Sequence, residues 1–108
     1  ADGAERMKAR MQQLREVFPD KVGSVRVLAV RDYSAGVRRD RTGEERALAL
    51  PKSNVLYFEL EGEGWCCVRP SGTEPKLKLY CGAKGVSPED AKNKTEEIVR
   101  GAAAMLQA

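Results

Sequence analysis

Residues 55–69, Val55-Leu56-Tyr57-Phe58-Glu59-Leu60-Glu61-Gly62-Glu63-Gly64-Trp65-Cys66-Cys67-Val68-Arg69, decide the fold. Leu56, Phe58 and Leu60 alternate with Tyr57, Glu59 and Glu61. That period of two turns one face of a strand toward a core and the other toward water. Gly62-Glu63-Gly64 supplies a turn, and Trp65 to Arg69 returns as the hairpin partner. Downstream, Lys76 to Cys81 reads as another strand, with Leu77, Leu79 and Cys81 opposite Lys76, Lys78 and Tyr80. Upstream, Val25, Val27 and Ala29 alternate with Ser24, Arg26, Leu28 and Val30, so a strand runs from about Val22 to near Asp32.

Helical periodicity flanks these strands. Asp2 and Glu5 are spaced as at a helix start, and Ala4, Met7, Met11, Leu14 and Phe18 form one apolar stripe that Pro19 is expected to close. Near the other end, Ser87-Pro88-Glu89-Asp90 provides an N-cap, a proline at the first helical position and a capping-box acid. Ala91, Thr95, Ile98, Val99, Ala102 and Leu106 then line one side of a second helix. The order α-β-β-β-β-α predicts an α+β domain, a mainly antiparallel four-stranded sheet with both helices on one face. Residues 33–54 show no sustained period and carry Gly36, Gly43, Pro51 and five arginine or lysine side chains. They read as a long loop, with Ala47-Leu48-Ala49-Leu50 as a short edge strand, at a cleft mouth, a domain interface or a surface insertion.

A length of 108 residues, 42% of them hydrophobic, argues for one domain spanning 1–108. No apolar run approaches the ~20 residues of a membrane helix, and no leader marks export. Cys66, Cys67 and Cys81 fit neither a CxxC motif nor a regular disulfide between neighbours, so they read as reduced thiols of a cytoplasmic protein, serving as small hydrophobes. Histidine is absent, which excludes an imidazole base or ligand within this chain. Asp32, Asp40, Glu44 and Glu45 could be imagined around a metal, but they sit in a charged loop and read as solvated. Nineteen basic against sixteen acidic residues, interspersed, are too balanced for a dedicated nucleic-acid binder.

One segment carries chemistry: Arg69-Pro70-Ser71-Gly72-Thr73-Glu74-Pro75, between two strands. Arg69 offers a planar fork of donors for an oxyanion, Ser71 and Thr73 offer hydroxyls, and Gly72 lets backbone N–H groups approach closely. Lys78, on the exposed face of the next strand, offers a second charge. The same composition also suits an ordinary turn with a solvated arginine.

The run Val68-Arg69-Pro70-Ser71-Gly72-Thr73-Glu74-Pro75-Lys76-Leu77-Lys78-Leu79-Tyr80, preceded by Leu50-Pro51-Lys52-Ser53-Asn54-Val55, resembles the C-terminal domain of the phosphohexomutase family, the phosphoglucomutases and phosphomannomutases. Residues 31–36, Arg31-Asp32-Tyr33-Ser34-Ala35-Gly36, resemble the bacterial phosphoglucomutase branch. The resemblance implies a TATA-box-binding-protein-like fold and a role in gripping the phosphate that is not transferred, through Arg69, Ser71, Gly72, Thr73 and Lys78. It implies partners in a glucose or mannose phosphate, a hexose bisphosphate and other domains of one longer chain. It places the phosphoserine and Mg²⁺ in those other domains, so no catalytic residue and no cofactor site is expected here. Residues 1–3 would then belong to a linker. Two other readings are an independent nucleic-acid module using Tyr57, Tyr80 and nearby lysines on the sheet, and a purely structural interaction domain.

Overall fold

The computed structural model describes residues 3–107, so the expected contribution of Asp2 to the first helix start lies outside the described residues. Helix α1 spans Gly3–Arg15. Seven strands follow: β1 (Lys21–Val22), β2 (Val25–Asp32), β3 (Val37–Asp40), β4 (Glu45–Ala47), β5 (Leu56–Leu60), β6 (Gly64–Pro70) and β7 (Leu77–Gly82). Helix α2 spans Pro88–Gln107. The strands are ordered β4-β3-β2-β5-β6-β7, with β1 paired to β2, and every pairing is antiparallel. The domain is α+β, but the sheet is larger than the four strands expected.

The hairpin β5–β6 follows the sequence pattern. Leu56, Phe58 and Leu60 pair in register with Val68, Cys66 and Gly64, and all six are buried. Met11 from α1 and Ile98 and Ala102 from α2 close on the same face, which makes one core. Within α2, Gly101 permits this approach, since a Cβ there would sit 2.2 Å from the backbone nitrogen of Gly23 in the β1–β2 turn. Val99 lies at the margin of the expected stripe and is exposed, whereas Met105 packs on the core. Ser87 caps α2, its Oγ accepting from the Asp90 N–H at 3.1 Å. The Asp90 carboxylate reaches Val86 N–H at 2.9 Å, and this bond, followed by Lys94, lowers its pKa. The first helix stops at Arg15, four residues short of Pro19, so proline does not set its end.

Two expectations need correction. Strand β2 does not alternate evenly, because a bulge at Leu28 shifts its register between Val27 and Ala29. Beyond it Val30 pairs with Phe58 and takes the core face, while Ala29 pairs with Glu59 and is buried on the opposite face. A bulge frees carbonyls from the ladder. Here Arg41 answers them, its N–H donating to Leu28 O at 3.0 Å and its Nη1 to Val27 O at 2.7 Å.

The second correction concerns residues 33–54, in which residues 37–47 form a hairpin and only residues 48–54 remain irregular. Asp40 builds its turn by accepting from Thr42 N–H at 2.9 Å and from Thr42 Oγ1 at 2.5 Å, and Asp32 builds the β2–β3 turn by accepting from Ser34 and Ala35 N–H. Both aspartates hold turns and are not merely solvated. The edge strand is Glu45–Ala47, upstream of the alternating Ala-Leu residues. All four arginines of the segment are engaged: Arg38 with Glu59, Arg39 with Glu45, Arg41 with Asp20 and Arg46 with Glu44. They do not form an unpaired basic patch.

The face away from the helices is organised by Glu59. Its carboxylate receives Arg38 Nε and Arg31 Nε, each at 2.7 Å, and Arg31 also lies 4.4 Å from the Tyr57 ring centre. The Arg38 hydrogen bonds, then those of Arg31, pull the Glu59 carboxyl down to about 2 from an ordinary 4.5. A carboxyl lowered by folding stabilises the folded state above its unfolded value and loses that contribution as pH falls through the folded one. The shift, discounted for solvent screening on an open face, corresponds to about 1–2 kcal/mol. Glu59→Gln should therefore destabilise the domain by about that amount at neutral pH. Urea midpoints of the two proteins should converge as the pH approaches 2, and a gap independent of pH would contradict this account.

Candidate phosphate-binding loop

The loop begins where the β6–β7 ladder ends. Its closing rung is Ser71 N–H donating to Lys76 O at 2.9 Å, and Lys76 N–H turns back to Glu74 O at 2.8 Å. Inside it, Ser71 Oγ accepts from Thr73 N–H at 3.3 Å and Glu74 N–H at 3.2 Å. The expected nest of free amides is thus partly consumed. With both lone pairs engaged, the Ser71 hydroxyl can only donate outward. Gly72 N–H and the Thr73 hydroxyl have no partner among the described residues. A Cβ at Gly72 would meet nothing within 4 Å, so no neighbour in this chain demands glycine there and the space beside it is open.

The five expected residues divide between two sides of the sheet. Arg69 and Lys78 are register partners and alternate with core-facing Val68, Pro70, Leu77 and Leu79, which puts both on the face away from the helices. Arg69 donates from Nη2 to the Tyr80 hydroxyl at 3.2 Å and from Nη1 to Pro70 O at 3.4 Å, with its guanidinium 5.7 Å from the Tyr80 ring centre. Neither Arg69 nor Lys78 pairs with a carboxylate among the described residues. Ser71, Gly72 and Thr73 instead line a cavity of about 560 Å³ on the α1 side, which neither Arg69 nor Lys78 lines.

That cavity adds two residues the sequence did not single out, Lys8 on α1 and Asn54 just ahead of β5. No local motif announces either one. They arrive because α1 docks against the loop, so closely that a Cβ at Gly3 would sit 1.9 Å from Pro75 Cβ. Lys8 has no carboxylate partner among the described residues. Together the loop, Lys8, Arg69 and Lys78 gather hydroxyl, amide and cationic donors at one end of the sheet.

The remaining chemistry is structural. The three cysteines are free thiols in β6 and β7. Cys66 faces Cys81 across the ladder, and its thiol is pushed up by that contact and by burial. The described residues contain no group of three or more His, Cys, Asp or Glu side chains suited to a metal. No helix of the described residues is long and apolar enough to cross a membrane.

The chain is thus an antiparallel α+β domain with a Ser-Gly-Thr loop following an arginine that has no carboxylate partner among the described residues. Comparison with known proteins gives the family: residues 4–101 match the phosphoglucomutase/phosphomannomutase C-terminal domain, and the chain belongs to it. The phosphoglucomutase of Staphylococcus haemolyticus is 42% identical over 82 residues, covering 73% of this chain and 14% of that protein. A probable phosphoribomutase of Schizosaccharomyces pombe is 44% identical over 82 residues, with the same coverages. The phosphoglucomutase of Staphylococcus aureus strain USA300 is 32% identical over 102 residues, 91% of this chain and 18% of that protein. The chain thus spans less than a fifth of the length of these relatives. No solved structure matches significantly.

The loop geometry makes one direct prediction. Ser71→Ala removes the acceptor of two amides, so hydrogen exchange at Thr73 and Glu74 should accelerate while Ser71's own position keeps its rung to Lys76. Loss of one such local bond should cost about 0.5–1.5 kcal/mol of stability. Unchanged exchange at both amides would contradict the bonding described.

Proposed function

We propose that this chain is the substrate-phosphate-binding domain of a phosphohexomutase, part of a longer protein whose other domains carry out the phosphoryl transfer between hexose 1-phosphate and 6-phosphate. The observation that carries the reading is Arg69, a planar donor fork with no carboxylate partner among the described residues, at the root of a loop in which Gly72 N–H and the Thr73 hydroxyl have no partner among the described residues. A phosphate dianion presents three strong acceptors, and Arg69, Ser71, Gly72, Thr73 and Lys78 supply donors of the matching kind. The open space at Gly72 fits a ligand approaching its N–H.

Within this reading, the domain's own contribution is to bind and orient. It holds one end of the phosphosugar, which converts part of the encounter into a preorganised approach of the other end to the reacting groups. The names of the relatives span a hexose and a pentose phosphate mutase. That range fits a domain that reads the phosphate and leaves the sugar to others. The nucleic-acid reading is less favoured, because Tyr57 is already stacked on Trp65 at 5.7 Å and flanked by Arg31, and Arg31 and Arg38 are both engaged by Glu59.

In the full-length enzyme, Arg69→Ala should lower kcat/KM by roughly 10–150-fold, the kinetic equivalent of losing a charge-assisted bidentate contact. Arg69→Lys should restore only part of it, because an ammonium lacks the fork. An unchanged kcat/KM in Arg69→Ala would sink the assignment. The 108-residue chain alone should show no turnover of glucose 1-phosphate above a boiled control. Its phosphate binding should be weak, about millimolar, and should strengthen as pH rises through ~6, where the monoester becomes a dianion.

A further inference from the structure

We infer that Asn54 is an additional anion-binding residue of this loop, donating its Nδ2 hydrogens to the bound phosphate, and that Arg15 is the positioning residue that orients it. The inference rests on the phosphate-binding reading above and names residues outside the loop motif.

Asn54 lines the same cavity as Ser71, Gly72 and Thr73. Its placement follows from the sheet: Leu56 pairs with Val68, so Asn54 and Pro70, each two residues further out, lie at the same end of β5 and β6. The Oδ1 atom of Asn54 accepts a hydrogen bond from Arg15 Nη2. A guanidinium has donors and no acceptor, so the amide must turn its oxygen toward Arg15 and its NH₂ away from it. That NH₂ group has no partner among the described residues. It is a donor with a fixed orientation and nothing in the chain to receive it.

Arg15 is itself held. Its Nε donates to Asp32 Oδ1 at 3.2 Å, and the two side chains are only 14% and 21% exposed. The same Oδ1 accepts from Ser34 and Ala35 N–H in the β2–β3 turn. A chain of bonds thus runs from that turn through Asp32 and Arg15 to Asn54, and it ends at the cavity. A cation on the carbonyl side of an amide polarises its N–H groups and makes them better donors. Lys8, on the cavity wall, adds positive charge, while the one carboxylate there, Glu74, is paired with Lys76 at 3.3 Å.

The side-chain NH₂ of Asn54 gives its own signal in a ¹H–¹⁵N spectrum, which separates this inference from the reading beneath it. On titration of the 108-residue chain with inorganic phosphate, and separately with glucose 1-phosphate, that signal should shift in step with the Gly72 amide. Asn54→Asp keeps an acceptor for Arg15 but removes the donor, so the apparent Kd should rise at least about tenfold while the melting temperature holds or increases. In Arg15→Ala, Gly72 should still respond to phosphate while the Asn54 NH₂ no longer follows it. If Gly72 shifts and the Asn54 NH₂ does not, or if Asn54→Asp binds as tightly as the original chain, the inference is overturned and the loop reading stands. If neither Gly72 nor its neighbours Ser71 and Thr73 respond, the loop reading fails and takes this inference with it.

Discussion

The missing N–H of Pro70 constrains how the sheet ends at the Ser71–Thr73 loop. Rungs of an antiparallel ladder alternate, and Ser71 N–H makes the last rung of β6–β7 with Lys76 O. Pro70 and Leu77 therefore form a pair without hydrogen bonds, where a proline costs that ladder nothing. The nitrogen of Pro70 faces β5 instead, and it has no hydrogen to give. Pairing between β5 and β6 accordingly ends at Leu56 and Val68. Ahead of Leu56 the chain keeps its bonds to the end of β2, Tyr33 N–H donating to Val55 O at 3.0 Å and Ser53 N–H to Tyr33 O at 3.1 Å, but it no longer pairs with β6, and Asn54 lies beside the loop. One absent donor thus ends the β5–β6 pairing where the loop begins.

The basic residues of the sheet divide into those held by acids and those left without a carboxylate partner among the described residues. Along the middle of the open face, Arg31 and Arg38 share Glu59, and the edge hairpin pairs Arg39 with Glu45 and Arg46 with Glu44. These arginines organise the sheet, although Glu59 cancels only one of the two charges it receives. Arg69, Lys78 and Lys8 lack such partners among the described residues, so their potential is not cancelled locally. A net charge of +3 spread evenly would attract anions weakly everywhere. Arg69, Lys78 and Lys8 thus keep their charge available to an anion at this end of the sheet.

How much of this the sequence could reveal depends on how strongly each element is constrained. Strands β5, β6 and β7 are packed on one side by the core, so Leu56, Phe58, Leu60, Leu77 and Leu79 keep a clean alternation that reads directly. Helix α2 announces itself through Ser87 and Pro88. Strands β3 and β4 lie at the edge, where Val37-Arg38-Arg39-Asp40 and Glu45-Arg46-Ala47 need little apolar pattern to pair. Their signal lay in the turn chemistry of Asp40 and Gly43 rather than in periodicity. The bulge at Leu28 has no local signature, since its carbonyls are answered by Arg41 from another strand's turn. At the candidate loop, Arg69, Ser71, Gly72 and Thr73 could be singled out from sequence because they lie close together in one segment. Lys8 and Asn54 could not, because only tertiary docking brings them to the cavity.

The division of the motif between the two sides of the sheet has a physical consequence of its own. Side chains in a strand alternate between faces, so Arg69 and Ser71, two residues apart, would share a face if β6 simply continued. The turn formed by Ser71 Oγ with the Thr73 and Glu74 amides ends that alternation and carries Ser71, Gly72 and Thr73 toward α1. Arg69 stays on the open face, anchored to Tyr80. Donors therefore flank the tip of the loop from two directions. A planar carboxylate directs its lone pairs within one plane, whereas the oxygens of a tetrahedral phosphate diverge and can meet donors on both sides. On the proposed reading, the Ser71 turn is thus what adapts a flat sheet edge to a tetrahedral ligand.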